Sequence, residues 1–77
     1  MVRAYEEIID FIAAGATPDR VAEFQASDAV RERVADLIRR EKTSGLSAAE
    51  TTELSEYLQL EHIMRLAKAR ARRYLPK

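Results

Sequence analysis

Cysteine and tryptophan are absent from this chain of 77 residues, and glycine and proline occur only twice each. Without cysteine there is no disulfide and no thiolate ligand for a metal ion. Phosphate-binding loops need several glycines before a helix, so nucleotide binding is not supported. No apolar run is long enough to cross a membrane, and no signal-like apolar segment follows Met1. We therefore expect a cytoplasmic protein that binds neither a membrane nor a small-molecule substrate or cofactor.

The length of the chain predicts one domain, spanning residues 1–77. A chain this short buries a modest core, so small domains often gain stability from disulfides, metals or a second subunit. Because cysteine is absent, a second subunit is the expected source of additional stability.

Charge is distributed unevenly, although the chain as a whole is neutral. Residues 1–61 contain 7 basic and 13 acidic side chains, a balance of −6. Residues 62–77 contain 6 basic side chains and no acid, a balance of +6. This asymmetry indicates either an anionic partner for the C-terminal end or pairing of that end with an acidic surface of the same protein.

Apolar residues recur at spacings of three and four along most of the chain, and no alternating strand pattern is present. The pattern predicts an all-α fold: a small helical bundle with three short N-terminal helices and one long C-terminal helix. The predicted helices run roughly over 2–14, 18–25, 28–43 and 48–75.

Local signals set the predicted ends of these helices. Ser47 and Glu50 have the spacing of a capping box, in which the N-cap hydroxyl and the N3 carboxylate each accept a backbone N–H. Thr17 is a predicted N-cap before Pro18, and Gly15 and Gly45 are predicted helix stops.

Candidate catalytic and metal-ligating residues are few. His62 is the single histidine, and the position three residues before it is Gln59, not the glutamate of a Glu-x-x-His di-iron pattern. We expect a surface histidine. The acids considered as carboxylate pairs are expected to lie on solvated helix faces; they are Glu6, Glu7, Asp10, Glu53, Glu56 and Glu61. No catalytic, cofactor-binding or metal site is predicted.

The C-terminal helix, by contrast, offers two candidate binding surfaces. On a helical wheel its basic side chains form one arc, a candidate anion-binding surface made of Arg65, Lys68, Arg70, Arg72 and Arg73. Apolar side chains fill the complementary arc, a candidate partner-binding surface made of Leu60, Ile63, Met64, Ala67, Ala71 and Tyr74. The small alanines would let another backbone approach closely.

The predicted length of this helix suggests how the apolar arc is used. A globular body of 77 residues has a radius of gyration of roughly 11–12 Å, so it is about 30 Å across. A helix of 28 residues is about 42 Å long. About two turns would then project beyond the body and expose Ala67, Ala71, Tyr74 and Leu75. Such a stripe usually marks an interface, here a self-associating antiparallel pair.

The segment from Val34 to Arg72 carries the sequences ADLIRREK, GLSAAE and YLQLEHIMRLAKARAR. In these pieces the chain resembles small bacterial helical proteins of uncharacterised function, some of which look like antitoxin-type partners encoded beside nucleases. The resemblance implies a protein-partner role and brings with it no catalytic residue.

Two function classes follow from these observations. The preferred one is a non-enzymatic protein-interaction module that self-associates and binds a protein, with an antitoxin-like regulatory partner as one form of it. The alternative is a small nucleic-acid-binding protein that uses the basic C-terminal helix; zero net charge and the lack of a recognition motif make it the less favoured of the two.

Overall fold

The computed structural model describes residues 3–75, in which every regular element is a helix and no strand is present. A 3-10 turn continues the last helix, and the elements in chain order are α1 (Glu6–Ala13), α2 (Pro18–Glu23), α3 (Asp28–Lys42), α4 (Ala48–Ala71) and the 3-10 turn (Arg72–Tyr74). The predicted all-α fold, with three short helices before one long helix, is confirmed. The predicted start of the first helix at Val2 lies outside the described residues.

The helix ends follow the local signals in the sequence. At the start of α4, the Glu50 backbone N–H donates to Ser47 Oγ at 3.1 Å, and the Ser47 backbone N–H donates to Glu50 Oε1 at 3.0 Å. The predicted capping box is therefore confirmed. Gly15 and Gly45 follow α1 and α3 with φ of 86° and 87°, a left-handed conformation that favours glycine. Thr17 holds the N-cap position of α2, but its hydroxyl donates to the Asp19 carboxylate instead of accepting a backbone N–H.

The first helix begins later than predicted, and the last helix ends earlier than predicted. Residues 3–5 form a turn before α1, and the Ala4 backbone N–H in that turn donates to the Glu53 carboxylate of α4. At the other end, α4 tightens into the 3-10 turn and Leu75 is extended, with φ −92° and ψ 142°. Leu75 precedes Pro76, and a residue before proline disfavours the helical conformation.

The shorter helices pack against α4 along its length. The Arg40 and Arg33 side chains of α3 contact Glu50 and Glu53 of α4 in turn, so α3 runs antiparallel to the first half of α4. α2 packs against the second half of α4 and against the 3-10 turn. Ile8 and Leu37 are the largest completely enclosed side chains, and the core around them contains Ala4, Val34, Leu54, Tyr57 and Met64.

The body is elongated, with principal extents of 48 × 21 × 19 Å and a radius of gyration of 14.1 Å. The expectation of a globular body with two projecting turns of helix is therefore wrong. Because α2 covers the second half of α4, Ala71 is only 6% exposed, and Ala67 and Leu75 are half-buried. Of the residues expected on the projecting turns, Tyr74 alone is exposed, at 71%.

Candidate interaction surface

The predicted partner-binding arc of α4 divides between the core and the surface. Met64 and Ala71 are buried within the protein itself, so the expectation that they face a partner is wrong. Leu60 and Ala67 are half-buried and pack against the core. Of the six predicted residues, Ile63 and Tyr74 remain exposed. The physical reason is the position of α2, which places the core-facing side of α4 at one edge of the predicted arc and leaves the other edge in solvent.

The side of α4 that faces away from α1, α2 and α3 carries large apolar side chains in solvent. Ile63 is 54% exposed, and Leu66, one turn further on, is 59% exposed. They belong to an exposed row whose spacings alternate between three and four, which we call the outer stripe: Glu56, Gln59, Ile63, Leu66, Arg70 and Arg73. Leu66 was not among the predicted partner-binding residues. The alternating spacing, visible in the sequence, is the signal that identifies it.

The predicted anion-binding residues also divide into separate places. Arg70 and Arg73 lie on the outer stripe and, with Leu66 and Ala69, line a shallow depression of about 270 Å³. Arg72 is exposed. Within residues 3–75, no acidic side chain lies within 4.0 Å of these three guanidinium groups.

The other two predicted cations lie beside a cleft between α4 and the segment that joins α2 to α3. Arg65 forms an ion pair with Glu61 of the same helix at 2.7 Å, and Lys68 is half-buried. The cleft has a volume of about 320 Å³, with an apolar floor and a charged rim; its lining is Ile8, Phe24, Gln25, Ala26, Arg31, Tyr57, Glu61, Met64, Arg65 and Lys68.

Contacts within the protein hold one polar group of this cleft in place and keep another neutral. Arg31 donates through Nε to the Ala26 carbonyl and through Nη2 to Gln25 Oε1, so the surrounding chain already holds its guanidinium group. Burial and the nearby Glu61 carboxylate raise the pKa of the Tyr57 hydroxyl at the cleft floor. Tyr57 therefore stays neutral at physiological pH.

Glu53 is the residue that sequence reasoning placed most wrongly. It was expected on a solvated helix face, yet it is only 5% exposed. Its carboxylate accepts two hydrogen bonds from Arg33, at 3.0 and 3.1 Å, and one from the Ala4 backbone N–H at 3.1 Å. Hydrogen bonding to Arg33 lowers the pKa of the Glu53 carboxyl below its ordinary value, against the opposing effect of burial.

A second ion cluster joins α3 to α4 beside the first. Arg40 bridges Asp36 on its own helix and Glu50 at the start of α4. The bond from Arg40, with the bond from the Ser47 backbone N–H, lowers the pKa of the Glu50 carboxyl to about 2. The capping-box glutamate therefore serves both as a cap and as an ion-pair partner.

The histidine and the acids that the sequence offers as metal ligands lie apart in the described part of the chain. Among residues 3–75, no three histidine or acidic side chains come together in a way that could hold a metal ion. His62 is exposed on α4, as predicted. No helix of the described segment has both the length and the apolar character of a membrane-crossing segment.

Comparisons with known proteins leave the chain without an assigned family. No family model, no curated protein and no solved structure matches it. The resemblance to small antitoxin-like helical proteins therefore stays a prediction, and the geometry of the outer stripe is the principal observation that bears on function.

Proposed function

We propose that this protein is a non-enzymatic interaction module whose outer stripe binds a helix of a polypeptide chain, either another protein or a second copy of itself. One observation carries the proposal: Ile63 and Leu66 are adjacent, more than half exposed, and on a helix face that no other element of residues 3–75 covers. Exposed apolar groups that form a row with a polar border are typical of protein interfaces.

The state of the buried carboxylate supports a non-enzymatic role. A general acid or base works best with a pKa near the operating pH and an oxygen that can reach the substrate. The pKa of the Glu53 carboxyl is lowered, and both of its oxygens accept hydrogen bonds from Arg33. Glu53 thus links α4 to α3 and to the N-terminal turn, and only 7% of its side chain is exposed.

A second candidate function has its own observation. Arg70, Arg72 and Arg73 are exposed and have no acidic partner within residues 3–75, which favours a small nucleic-acid-binding protein. Salt separates the two proposals, because phosphate neutralisation gives a steep linear fall of log affinity with log salt, whereas apolar contacts at Ile63 and Leu66 strengthen or hold as salt rises.

The proposal also includes a regulatory role for the module and a cytoplasmic location. The resemblance of residues 34–72 to antitoxin-type proteins supports a module that controls a protein, and the absence of cysteine supports a cytoplasmic setting. Co-expression with the product of a neighbouring nuclease gene tests the regulatory role. We expect the wild-type chain to relieve the toxicity of the nuclease and a variant altered in the outer stripe not to relieve it. Equal relief by both would show that the outer stripe takes no part in the regulatory role.

The direct test of the interaction module uses three forms of the full chain as bait in lysate of the cells that make it. The forms are the wild type, the double variant Ile63→Glu with Leu66→Glu, and Leu58→Glu as a matched control. Leu58 is an exposed leucine on α4, 45% accessible, that lies outside the outer stripe. We expect the same polypeptide on the wild-type and control baits and its loss from the double variant. Equal capture of a polypeptide by all three baits would overturn the proposal. It would also be overturned if no polypeptide other than the bait is captured and the chain itself is purely monomeric.

A further inference from the structure

The outer stripe has the spacing of a coiled-coil seam. Its six residues fall alternately on the two seam positions of a seven-residue repeat, with Glu56, Ile63 and Arg70 on one and Gln59, Leu66 and Arg73 on the other. Each of the six side chains is exposed. One helix with such a seam is incomplete, because seam residues pack only when a second helix faces them.

We infer that the helix facing the outer stripe is α4 of a second copy of this chain, in an antiparallel pair related by a two-fold axis. This inference rests on the proposed interaction function and names its partner. In an antiparallel coiled coil the two kinds of seam position face each other. Ile63 then opposes Leu66 of the second copy, and by symmetry Leu66 opposes Ile63, so the centre of the contact is apolar on both sides.

Charge determines the direction of the pair. With Ile63 opposite Leu66, Gln59 opposes Arg70 of the second copy and Glu56 opposes Arg73, so each stripe arginine meets an acceptor. A parallel pair would instead place Arg70 against Arg70 and Arg73 against Arg73. Like charges in direct opposition are unfavourable, and the antiparallel direction avoids them.

The same residues also determine the register. Sliding one copy by one seven-residue repeat places Leu66 opposite Arg70 in one direction and opposite Glu56 in the other. Either shift removes both apolar pairs and leaves a leucine against a charge. One antiparallel register therefore satisfies all six positions, as a symmetric interface requires.

The structure leaves room for this pair. α1, α2 and α3 lie on the opposite side of α4, and the side chains beside the seam are short at Ser55 and Ala69. The seam from Glu56 to Arg73 is about 26 Å long. That contact is at the small end of specific interfaces, so we expect a reversible dimer with a Kd of roughly 10–100 µM.

Cysteine cross-linking tests the direction and the register together, because the chain has no cysteine of its own. Two single variants of the full chain, Gln59→Cys and Arg70→Cys, are oxidised mildly, each alone and as an equal mixture. In the inferred pair, Gln59 faces Arg70, but two copies of Gln59 are 11 residues apart along the axis, about 16 Å. A disulfide needs Cα atoms within about 7 Å. We therefore expect a cross-linked dimer only in the mixture and not with either variant by itself.

Two controls check that the link depends on the outer stripe. Leu58→Cys mixed with Arg70→Cys should give no link above background, since Leu58 lies off the stripe. Adding Ile63→Glu to the Gln59→Cys chain should remove the link and raise the dimer Kd by about tenfold or more in sedimentation. Circular dichroism verifies that each variant is folded.

Each other outcome overturns the inference in an identifiable way. Cross-linking of either variant alone indicates a parallel pair. A chain that sediments as a monomer at several hundred micromolar, with no link in the mixture, excludes the second copy as the partner. If stripe-dependent capture of another polypeptide persists in that case, the proposed interaction function stands without self-association; if it is absent too, both fall.

Discussion

Replacement of Glu53 by glutamine tests the central structural finding, that a buried carboxylate joins three segments of the chain. The amide of Glu53→Gln has nearly the same volume, so it changes charge with little change in packing. It can still accept from the Ala4 N–H or from one Arg33 nitrogen. It loses the charge assistance of the two bonds from Arg33, which are 3.0 and 3.1 Å long.

The expected magnitude follows from burial. Removing one partner of a buried pair costs about 3–5 kcal/mol when the other charge stays buried. The Arg33 side chain is 24% exposed and can turn towards water, so the low end of that range applies to Glu53→Ala, about 3 kcal/mol. Glu53→Gln keeps part of the hydrogen bonding and should lower the free energy of unfolding by about 1–2 kcal/mol. A domain of this size has about 4–12 kcal/mol in total.

Urea unfolding followed by circular dichroism measures the effect. With a slope of about 1 kcal/mol per molar, the Glu53→Gln midpoint should fall by about 1–2 M. Glu32→Gln is the matched control: it removes an exposed acid beside Arg33 and should change stability by less than about 0.5 kcal/mol. A Glu53→Gln midpoint equal to that of the control would refute a stabilising role for the buried charge.

The same pair of proteins gives a pH signature with a definite sign. The pKa of the Glu53 carboxyl in the folded protein is lower than its ordinary value of 4.5, which applies to the unfolded chain. Its contribution to stability is therefore complete above that value and is lost as the pH falls through the folded pKa. The difference in unfolding free energy between the wild type and Glu53→Gln should shrink below about pH 4. A difference that grows on acidification would contradict the assignment.

Three further predictions concern the ends of α4. Ser47→Ala should lower the free energy of unfolding by about 1 kcal/mol, because it removes the acceptor of the Glu50 backbone N–H, and an unchanged thermal midpoint would argue against the cap. Arg40→Gln should raise the pKa of the Glu50 carboxyl from about 2 towards its ordinary value of 4.5, measured by NMR titration of the side chain. Fluorescence anisotropy with a random DNA duplex at physiological salt should give no sub-micromolar affinity; such affinity would favour the nucleic-acid alternative.

What could be predicted from the sequence is what depends on near neighbours in the chain. The capping box requires residues three apart, and the helix-stopping glycines require a single backbone conformation, so both are visible without a fold. The helix class and the order of the four helices follow from apolar spacing in the same way. The predicted C-terminal end of the long helix was a few residues too far, because Pro76 disfavours a helical conformation at Leu75.

What could not be predicted depends on contacts between distant segments. Glu53 is buried because Arg33, 20 residues away, and Ala4, 49 residues away, both donate to its carboxylate. An acid in a helical pattern is usually solvated. The one signal in the sequence was the position of Glu53 four residues before Tyr57, on the same side of α4. That signal indicates burial only when it is known that the other helices cover this side of α4.

The same cause explains the error at the predicted partner-binding arc. That arc was centred on Ala67, which proves to lie at the edge between core and solvent, so the arc takes in buried Met64 on one side and exposed Ile63 on the other. A helical wheel gives the angles between side chains but not the direction of the core. That direction depends on where α2 packs, and α2 is short enough that its own sequence does not determine it.

α4 therefore carries two apolar rows, and both follow the seven-residue repeat. On the core side, Tyr57, Met64 and Ala71 are buried at intervals of seven; on the outer side, Ile63 and Arg70 share the same interval. A row of this period drifts by about 20° per repeat around a straight α-helix. On the core side, separate short helices cover the two halves of α4 and so accommodate the drift. On the outer side, one long helix crossing at about 20° accommodates it equally well, and a second α4 has the length and the spacing to do so.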